Sequence, residues 1–453
     1  MIYNSPTGVN LFWSKWQRKN LVETSYDETK FIDKPSGKAF VGRVVPERYT
    51  YYYHTLEIEY IVQDWKTRCP PNVRLTSKVY RIGSDTDVPD LVKLVPAALG
   101  AKIDKIYLLT IESKVKNPTK KALFISGTHA REPAGVTSLI AYIDYIISTP
   151  DNKALDNWSL NVVLLMNPLG YFIDNNRTYQ LKKEINNVEG VYHRKNDRNI
   201  KVFNLAKLKD PVAISRVVHR EVQERGRCGA DIPSKLELVH SQPRAVGIVG
   251  VDLNRNSGME FQLNGKKYTG WVKLLDREVY SGTEANSERE TQIFQQIFRE
   301  VSPDLFITIH SYGNMIVTSD VYDDGAQQQQ QVIKFNKANN VPSCYTLSGL
   351  IRDIPFYQGI VKDIKIKDVS LGKRSTGEYV RFPMEVSPLG TATGDMTFWS
   401  YCYYQNQKRT KPYCGFTLEL GSNGEDGFYP DKYQMIDIVC NAFTILQNSL
   451  NTF

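Results

Sequence analysis

Apolar residues in this chain fall into short, nearly continuous runs that alternate with longer segments of helical periodicity. An apolar run of about four to eight residues between turn residues is typical of a strand buried on both faces of a parallel sheet. Strands that alternate with helices indicate the α/β class, with a mixed, largely parallel central sheet flanked by helices. Strands are predicted at residues 75–82, 105–111, 122–125, 161–166, 305–309 and 415–420.

The segments between these strands have apolar residues at helical spacing. Helices are predicted at residues 54–65, 136–147, 290–301 and 435–450, with another near 211–225 and a glutamine-rich one around 327–331. Ser287 and Glu290 have the spacing of a capping box, which predicts that a helix begins there. Residues 350–395 are rich in turn residues, and we expect them to be irregular.

The strand at 122–125 leads directly into a turn with two candidate metal ligands. The apolar run breaks at Gly127, and His129 and Glu132 follow three residues apart, just before Pro133, a favoured first residue of a helix. An imidazole and a carboxylate on one tight turn can reach the same divalent ion, and zinc accepts both. A lone His-x-x-Glu is more often a loop histidine beside a solvated glutamate, so a catalytic zinc site requires a further ligand.

His310 is the candidate for that ligand. It ends the apolar strand 305–309, as His129 follows the strand 122–125. Ligands of open α/β sheets gather at the carboxyl ends of the strands, so the two histidines can converge there. With Glu132 they would form a His₂Glu set that leaves one position for water. Each histidine could instead be a hydrogen-bonded structural residue.

Glu419 lies between two leucines in the strand 415–420. On an edge strand this carboxylate would face solvent. On an interior strand it would be partly desolvated, with a raised pKa suited to a general base acting on metal-activated water.

The segment 252–256 concentrates an acid, two amides and a guanidinium. Arg255 beside Asn254 is a donor-rich pair that suits a carboxylate, although such a pentapeptide is also common in turns.

Composition narrows the class of protein. The chain has 453 residues, 41% hydrophobic and 23% charged, which fits one large domain with an insertion or an appendage. Its net charge of +8 is spread along the sequence and no nucleic-acid motif is present, so we expect a mildly basic surface and no nucleic-acid partner. Six cysteines without a Cys-x-x-Cys pair exclude a zinc finger, and free thiols fit better than a bridge between Cys402 and Cys414.

No apolar run is long enough to cross a bilayer, so no transmembrane segment is expected. Residues 1–16 lack the apolar region of a signal peptide, which favours an intracellular location over secretion.

Seven motifs, taken in chain order, resemble the zinc metallocarboxypeptidase family of the carboxypeptidase A type. The resemblance extends over about residues 50–450. One such motif alone would be weak, whereas seven in the correct order form a specific pattern. They are His129-x-x-Glu132, Asn167-Pro168-Leu169-Gly170-Tyr171, Arg194-Lys195-Asn196, Asp252-Leu253-Asn254-Arg255, Tyr280-Ser281-Gly282 with Ser287-Glu288, His310-Ser311-Tyr312, and the strand of Glu419.

The resemblance implies a role for each candidate residue and a peptide or protein C-terminus as substrate. One zinc ion per chain would be bound by His129, Glu132 and His310, and Glu419 would be the general base. Arg194 would stabilise the oxyanion, and Asp252 would hydrogen-bond the second nitrogen of His129. The remaining implied roles are substrate binding, by Asn254 and Arg255 at the terminal carboxylate and by Arg131 in the subsites.

Two positions depart from the family pattern. Family members carry a lid tyrosine upstream of the pocket aspartate, which is Asp395 in this chain. The matching upstream position falls at about Ser387, so this chain has no tyrosine there. Gly394 falls where the family usually reads the last side chain of the substrate. The resemblance therefore gives no charged-residue preference, and a neutral or bulky side chain is expected.

The predicted domains are an N-terminal extension at 1–47 and a catalytic domain at 48–453 with an insertion at about 199–250. The extension or the insertion could bind a protein partner. Members of the resembled family are often secreted, so the resemblance favours secretion whereas the lack of a readable signal peptide favours an intracellular location.

The sequence is consistent with three functions. The first is a zinc carboxypeptidase. The second is an aspartoacylase-like amidohydrolase, which shares the His-x-x-Glu and Asp-Leu-Asn-Arg elements. The third is an inactive carboxypeptidase-like scaffold in a larger assembly.

Overall fold

The computed structural model describes the parts of the chain that form the core and the candidate site. These are residues 52–53, 55–84, 97–149, 152–175, 194–196, 250–258, 279–282, 284–318, 380–383, 394–407, 409–421, 428, 430 and 432–453. The predicted extension at 1–47, the helices at 211–225 and 327–331, Ser387 and most of the segments 199–250 and 350–395 lie outside the described residues.

A single eight-stranded sheet has the order β1-β2-β4-β3-β5-β8-β6-β7. The four strands at its centre, β4, β3, β5 and β8, are parallel to one another. Antiparallel pairs join β2 to β1 and β4, and β6 to β8, whereas β7 is parallel to β6. The predicted α/β fold with a mixed, largely parallel sheet is therefore confirmed. The strands are β1 Val73–Arg81, β2 Lys105–Ser113, β3 Lys120–Ser126, β4 Trp158–Val163, β5 Leu305–Ser311, β6 Met315–Thr318, β7 Val380–Pro383 and β8 Cys414–Leu420.

Helices cover both faces of the sheet because the central strands are apolar on both faces. In β3, Ala122 and Phe124 belong to one core cluster, whereas Leu123 and Ile125 belong to the other, as strand alternation requires. The first cluster includes residues of α1, α3 and α8, and the second includes residues of α6 and α7. The helices are α1 Thr55–Arg68, α2 Ala97–Ile103, α3 Pro133–Ser148, α4 Ala154–Asn157, α5 Pro168–Asn175, α6 Arg289–Val301, α7 Met396–Asn406 and α8 Lys432–Thr452.

Three local predictions are wrong. Strand β4 ends at Val163, not at 166, because the chain turns there while remaining buried, so its apolar sequence continues past the ladder. Helix α6 has Glu288 at its N-cap without a side-chain cap, and the Ser287 hydroxyl donates to the Glu288 carboxylate instead of capping the helix. Within the segment expected to be irregular, Val380–Pro383 forms β7.

None of the helices in the described part of the chain combines the length and apolar character that crossing a bilayer requires. Cys402 and Cys414 are both free thiols.

The turn after β3 depends on a backbone conformation that favours glycine. Gly127 has φ +62°, and a Cβ there would lie 2.5 Å from Leu165 Cδ1 and 3.2 Å from Leu165 Cα. A side chain at 127 would therefore be strained and would also clash with the segment after β4. This close approach lets the chain turn at once and places His129 just beyond the strand end.

Asn167 holds three segments together beside this turn. Its Oδ1 accepts a hydrogen bond from Gly170 N at 3.0 Å, which caps the first turn of α5. Its Nδ2 donates to Thr128 O at 3.3 Å and to Lys195 O at 3.0 Å. The side chain is fully buried, so each of these bonds is made without competition from water.

Replacing Asn167 should destabilise the fold strongly. Asn167→Ala removes a hydrogen-bond donor from two buried carbonyls and the cap from a helix N-terminus, and we expect a loss of about 2–4 kcal/mol in unfolding free energy. Asn167→Asp keeps the cap but loses both donors and should cost a comparable amount. Denaturant titration would measure both, with Ser113→Ala as the control, because the Ser113 hydroxyl accepts only exposed turn hydrogen bonds. A loss from Asn167→Ala no larger than that of the control would contradict this role.

Candidate active site

The candidate site lies at the carboxyl ends of the central parallel strands. Strand β3 lies beside β5, and β5 lies beside β8, so the turn after β3 and the ends of β5 and β8 meet at one edge. His310 and Glu419 are register partners on β5 and β8. The fold therefore brings together residues that are far apart in the sequence, at the position where open α/β sheets bind ligands.

His129, Glu132 and His310 form a compact group whose ligand atoms all lie within 4.8 Å of one another. His129 Nδ1 is 2.8 Å from Glu132 Oε1, and His310 Nδ1 is 3.0 Å from Glu132 Oε2. The two Nδ1 atoms are 3.0 Å apart. Two imidazole nitrogens and a carboxylate that converge on one point in a buried location fit the His₂Glu ligand set of zinc.

The other nitrogen of each histidine faces a partner outside this group. His129 Nε2 is 3.1 Å from Asp252 Oδ1, and His310 Nε2 is 2.9 Å from Thr308 Oγ1. Such partners fix the orientation of a ligating imidazole and the nitrogen that binds the metal. The resemblance placed Asp252 here, but sequence reasoning missed Thr308. Its signal was the two-residue spacing from His310 along a strand, which puts both side chains on the same face.

The protonation tendencies of the group suit cation binding. Burial lowers the pKa of His129, which favours the neutral imidazole that a metal requires. Burial opposes ionisation of Glu132, but its charge interactions and hydrogen bonds with the two histidines outweigh this, and its pKa lies below the usual range. Burial also opposes protonation of His310, yet the hydrogen bond with Glu132 outweighs it and raises the pKa of His310. A proton at His310 must therefore leave when a cation binds.

Glu419 lies on an interior strand, between β5 and β6, and the residue is only 8% exposed. Burial raises its pKa to about 7, against the opposing charge of His310. This matches the environment that an interior strand would give the carboxylate. A carboxylate with a pKa near neutrality, next to a candidate metal site, can both accept and return a proton at physiological pH.

Asp252 connects the candidate metal group, which consists of His129, Glu132 and His310, to two arginine-bearing segments. Its Oδ2 accepts a hydrogen bond from Arg194 Nε at 2.8 Å, and its Oδ1 accepts one from Asn254 N at 2.9 Å. Arg194 also places Nη1 3.7 Å from Glu132 Oε1. The guanidinium therefore lies beside the metal group, where it can interact with negative charge that develops on a substrate.

Asn254 and Arg255 lie on the short 3₁₀ turn Leu253–Arg255 that follows Asp252. Asn254 Oδ1 accepts a hydrogen bond from Met396 N at 3.0 Å, and Arg255 Nη1 donates to Asn254 O at 2.7 Å. An amide and a guanidinium are thus held on one turn, which is the donor set that a carboxylate requires.

Arg131 packs against the aromatic residue Phe428, which in turn contacts a second one, Tyr312. Its guanidinium carbon is 4.1 Å from the ring centroid of Phe428, and Phe428 packs edge-to-face against Tyr312 at 4.8 Å between centroids. Sequence reasoning missed Phe428, because its place beside Arg131 depends on tertiary structure alone.

Comparisons with known proteins concern the fold and the family of this chain. No curated protein sequence matches the chain. Among solved structures, bovine thrombin-activatable fibrinolysis inhibitor, determined in complex with tick carboxypeptidase inhibitor, is 18% identical with a TM-score of 0.50. The match covers 89% of this chain and 97% of that chain. Carboxypeptidase A from Helicoverpa armigera is 18% identical with a TM-score of 0.51, covering 89% of this chain and 74% of that one. At this identity the likeness supports the fold alone.

The family model described as zinc carboxypeptidase matches residues 83–444. That range includes every metal, base and substrate residue named from the sequence, and it confirms the resemblance. Because the match extends over far more than half of its length, this chain belongs to the zinc carboxypeptidase family.

Proposed function

We propose that this protein is a zinc-dependent metallocarboxypeptidase that hydrolyses the C-terminal peptide bond of peptides or proteins. The observation that carries the proposal is the buried group of His129, Glu132 and His310 with Glu419 beside it. Zinc held by these three ligands would supply a Lewis acid that polarises the scissile carbonyl and activates water. The other steps depend on side chains of this chain.

Glu419 accepts the proton of the attacking water and returns it to the leaving amine. Its raised pKa, about 7, allows both transfers near neutral pH. Arg194 offers positive charge to the oxyanion that forms when water adds to the carbonyl, and its hydrogen bond to Asp252 holds it in place.

Asn254 and Arg255 bind the free carboxylate of the substrate. This contact would restrict cleavage to the last peptide bond, since an internal residue has no carboxylate there. Arg131 and its aromatic neighbour Phe428 contact residues further toward the N-terminus of the substrate.

Glu419→Gln should abolish most of the activity without removing the metal. Loss of a general base lowers turnover by about 10²- to 10⁴-fold, and the amide keeps the size of the side chain. Hydrolysis of a peptide with a free C-terminus, compared with the same peptide as a C-terminal amide, would measure the effect together with zinc content. Glu300→Gln, which replaces an acid that is paired with Lys78 outside the site, should leave activity unchanged.

The same comparison separates the competing functions. A carboxypeptidase loses nearly all activity on the amide, whereas cleavage of small N-acyl amino acids in preference to peptides would favour the aspartoacylase-like alternative. If the wild-type protein binds zinc but hydrolyses neither class of substrate, the result would favour the inactive scaffold.

Thr308→Val should weaken zinc binding while the fold is retained. Valine has nearly the same shape but removes the partner of His310 Nε2. Loss of such an outer partner reduces metal affinity by about 10- to 100-fold. Competition with a chelator would measure this, with His310→Ala as the reference without binding.

Thr110→Val is the matched control, because this strand threonine hydrogen-bonds Asn161 away from the site. Equal zinc affinity in the two valine variants would contradict the role of Thr308.

A further inference from the structure

Gly394 packs closely against the backbone of the turn that carries Arg255. It has φ +71°, and a Cβ at this position would lie 2.3 Å from Arg255 O and 2.8 Å from Arg255 C. A side chain at 394 would point into the backbone of Arg255. Glycine is therefore required here by the close approach to the 254–257 turn, and a larger residue would be strained.

We infer that Gly394, Asp395 and Met396 form a brace that positions Asn254 and Arg255 for a carboxylate. The inference rests on the proposed function, because that function assigns the carboxylate to these two residues. The brace residues are positioning residues and do not themselves contact substrate.

The first contact fixes the backbone of the turn. Gly394 O accepts a hydrogen bond from Ser257 N at 2.9 Å, on the C-terminal side of Arg255. Together with the close approach of Gly394 to Arg255 O, this contact fixes the backbone position from which the Arg255 side chain extends.

The second contact fixes the amide of Asn254. Met396 N–H can only donate, so the Asn254 atom that it meets at 3.0 Å must be the carbonyl oxygen. The Nδ2 group is then turned the opposite way, and it makes no hydrogen bond with any other described residue. Without the Met396 contact the amide could rotate and present its oxygen, which would repel a carboxylate.

The brace itself is anchored in the core. Asp395 Oδ1 accepts a hydrogen bond from Phe398 N at 2.9 Å, which makes Asp395 the N-cap of α7. The Met396 side chain is completely buried in the core cluster that also contains residues of β3 and α6. Movement of the brace would require movement of α7, so the orientation of Asn254 and Arg255 is set before substrate arrives.

Gly394→Ala should weaken carboxylate binding selectively. Displacing a charge-assisted contact lowers affinity by about tenfold to a hundredfold, so we expect KM for a free-acid peptide to rise by that factor while kcat changes little. Zinc content should remain at the wild-type value. Binding of N-acetyl-phenylalanine, compared with its amide, would be measured by calorimetry as a readout that does not need turnover.

Gly258→Ala is the matched control. Gly258 lies just beyond the same turn, but a Cβ there would meet the end of one side chain, the amide of Asn286, with Nδ2 at 2.6 Å and Oδ1 at 3.3 Å, and no backbone atom lies as close. This variant should keep the wild-type KM and the wild-type preference for the acid over the amide.

A second pair of variants tests the amide contact and decides the question if Gly394→Ala fails to fold. Met396→Pro removes the N–H that meets Asn254, at the first position of a helix, where proline is tolerated. Met396→Ala removes the same buried side chain but keeps the N–H. We expect KM for the free acid to be about tenfold higher in the proline variant than in the alanine variant.

Equal KM and equal acid affinity in Met396→Pro and Met396→Ala, or in Gly394→Ala and Gly258→Ala, would overturn the brace. A failure of the proposed function is distinguishable, because the wild-type protein would then bind the acid and its amide equally well. If the wild type binds the acid selectively without hydrolysis, the binding arms still test the brace.

Discussion

The candidate site depends on a carboxylate that is held without access to solvent. Asp252 is fully buried, and a buried charge is costly unless it is paired and hydrogen-bonded. Burial would raise the pKa of Asp252, but Arg194 and His129 outweigh it and hold this pKa well below its usual value. The carboxylate is thus ionised because one ligand histidine, one arginine and the backbone of Asn254 all donate to it. The candidate metal group, Arg194 and the turn that carries Asn254 and Arg255 therefore share a single point of attachment.

The neighbouring carboxylates differ because their partners differ. Glu132 lies among the two histidines and has a lowered pKa, whereas Glu419 is buried with less compensation and has a pKa of about 7. A ligand must be ionised to bind a cation, and a base must be able to carry a proton away. Environments that move the pKa values of two nearby carboxylates apart are the means by which one site supports both roles. Burial alone cannot produce this division, since both side chains are almost fully buried.

The central strands could be predicted because strands buried on both faces must be apolar throughout, and the ends of such strands locate a site. This predicted the convergence of His129 and His310. The features that could not be predicted from the sequence have physical causes. Thr308 is a common strand residue, and only its contact with His310 gives it meaning. The end of β4 could not be found because Leu164 to Met166 stay buried after the ladder stops. Ser287 has the spacing of a cap, but its hydroxyl is used by the Glu288 carboxylate and by Asn256.

Gly394 illustrates what a resemblance can and cannot transfer. Matching motifs assign a position along the chain, but the direction of a side chain depends on φ and ψ at that residue. With φ +71° and Arg255 O in the place of a Cβ, position 394 of this chain has no room for a side chain. The same geometry gives the glycine a different use, since its close approach supports the turn that carries Asn254 and Arg255. Under the function proposed above, preference for the last side chain of the substrate would come from other residues of the cleft, while recognition of the carboxylate would depend on how firmly α7 holds this brace.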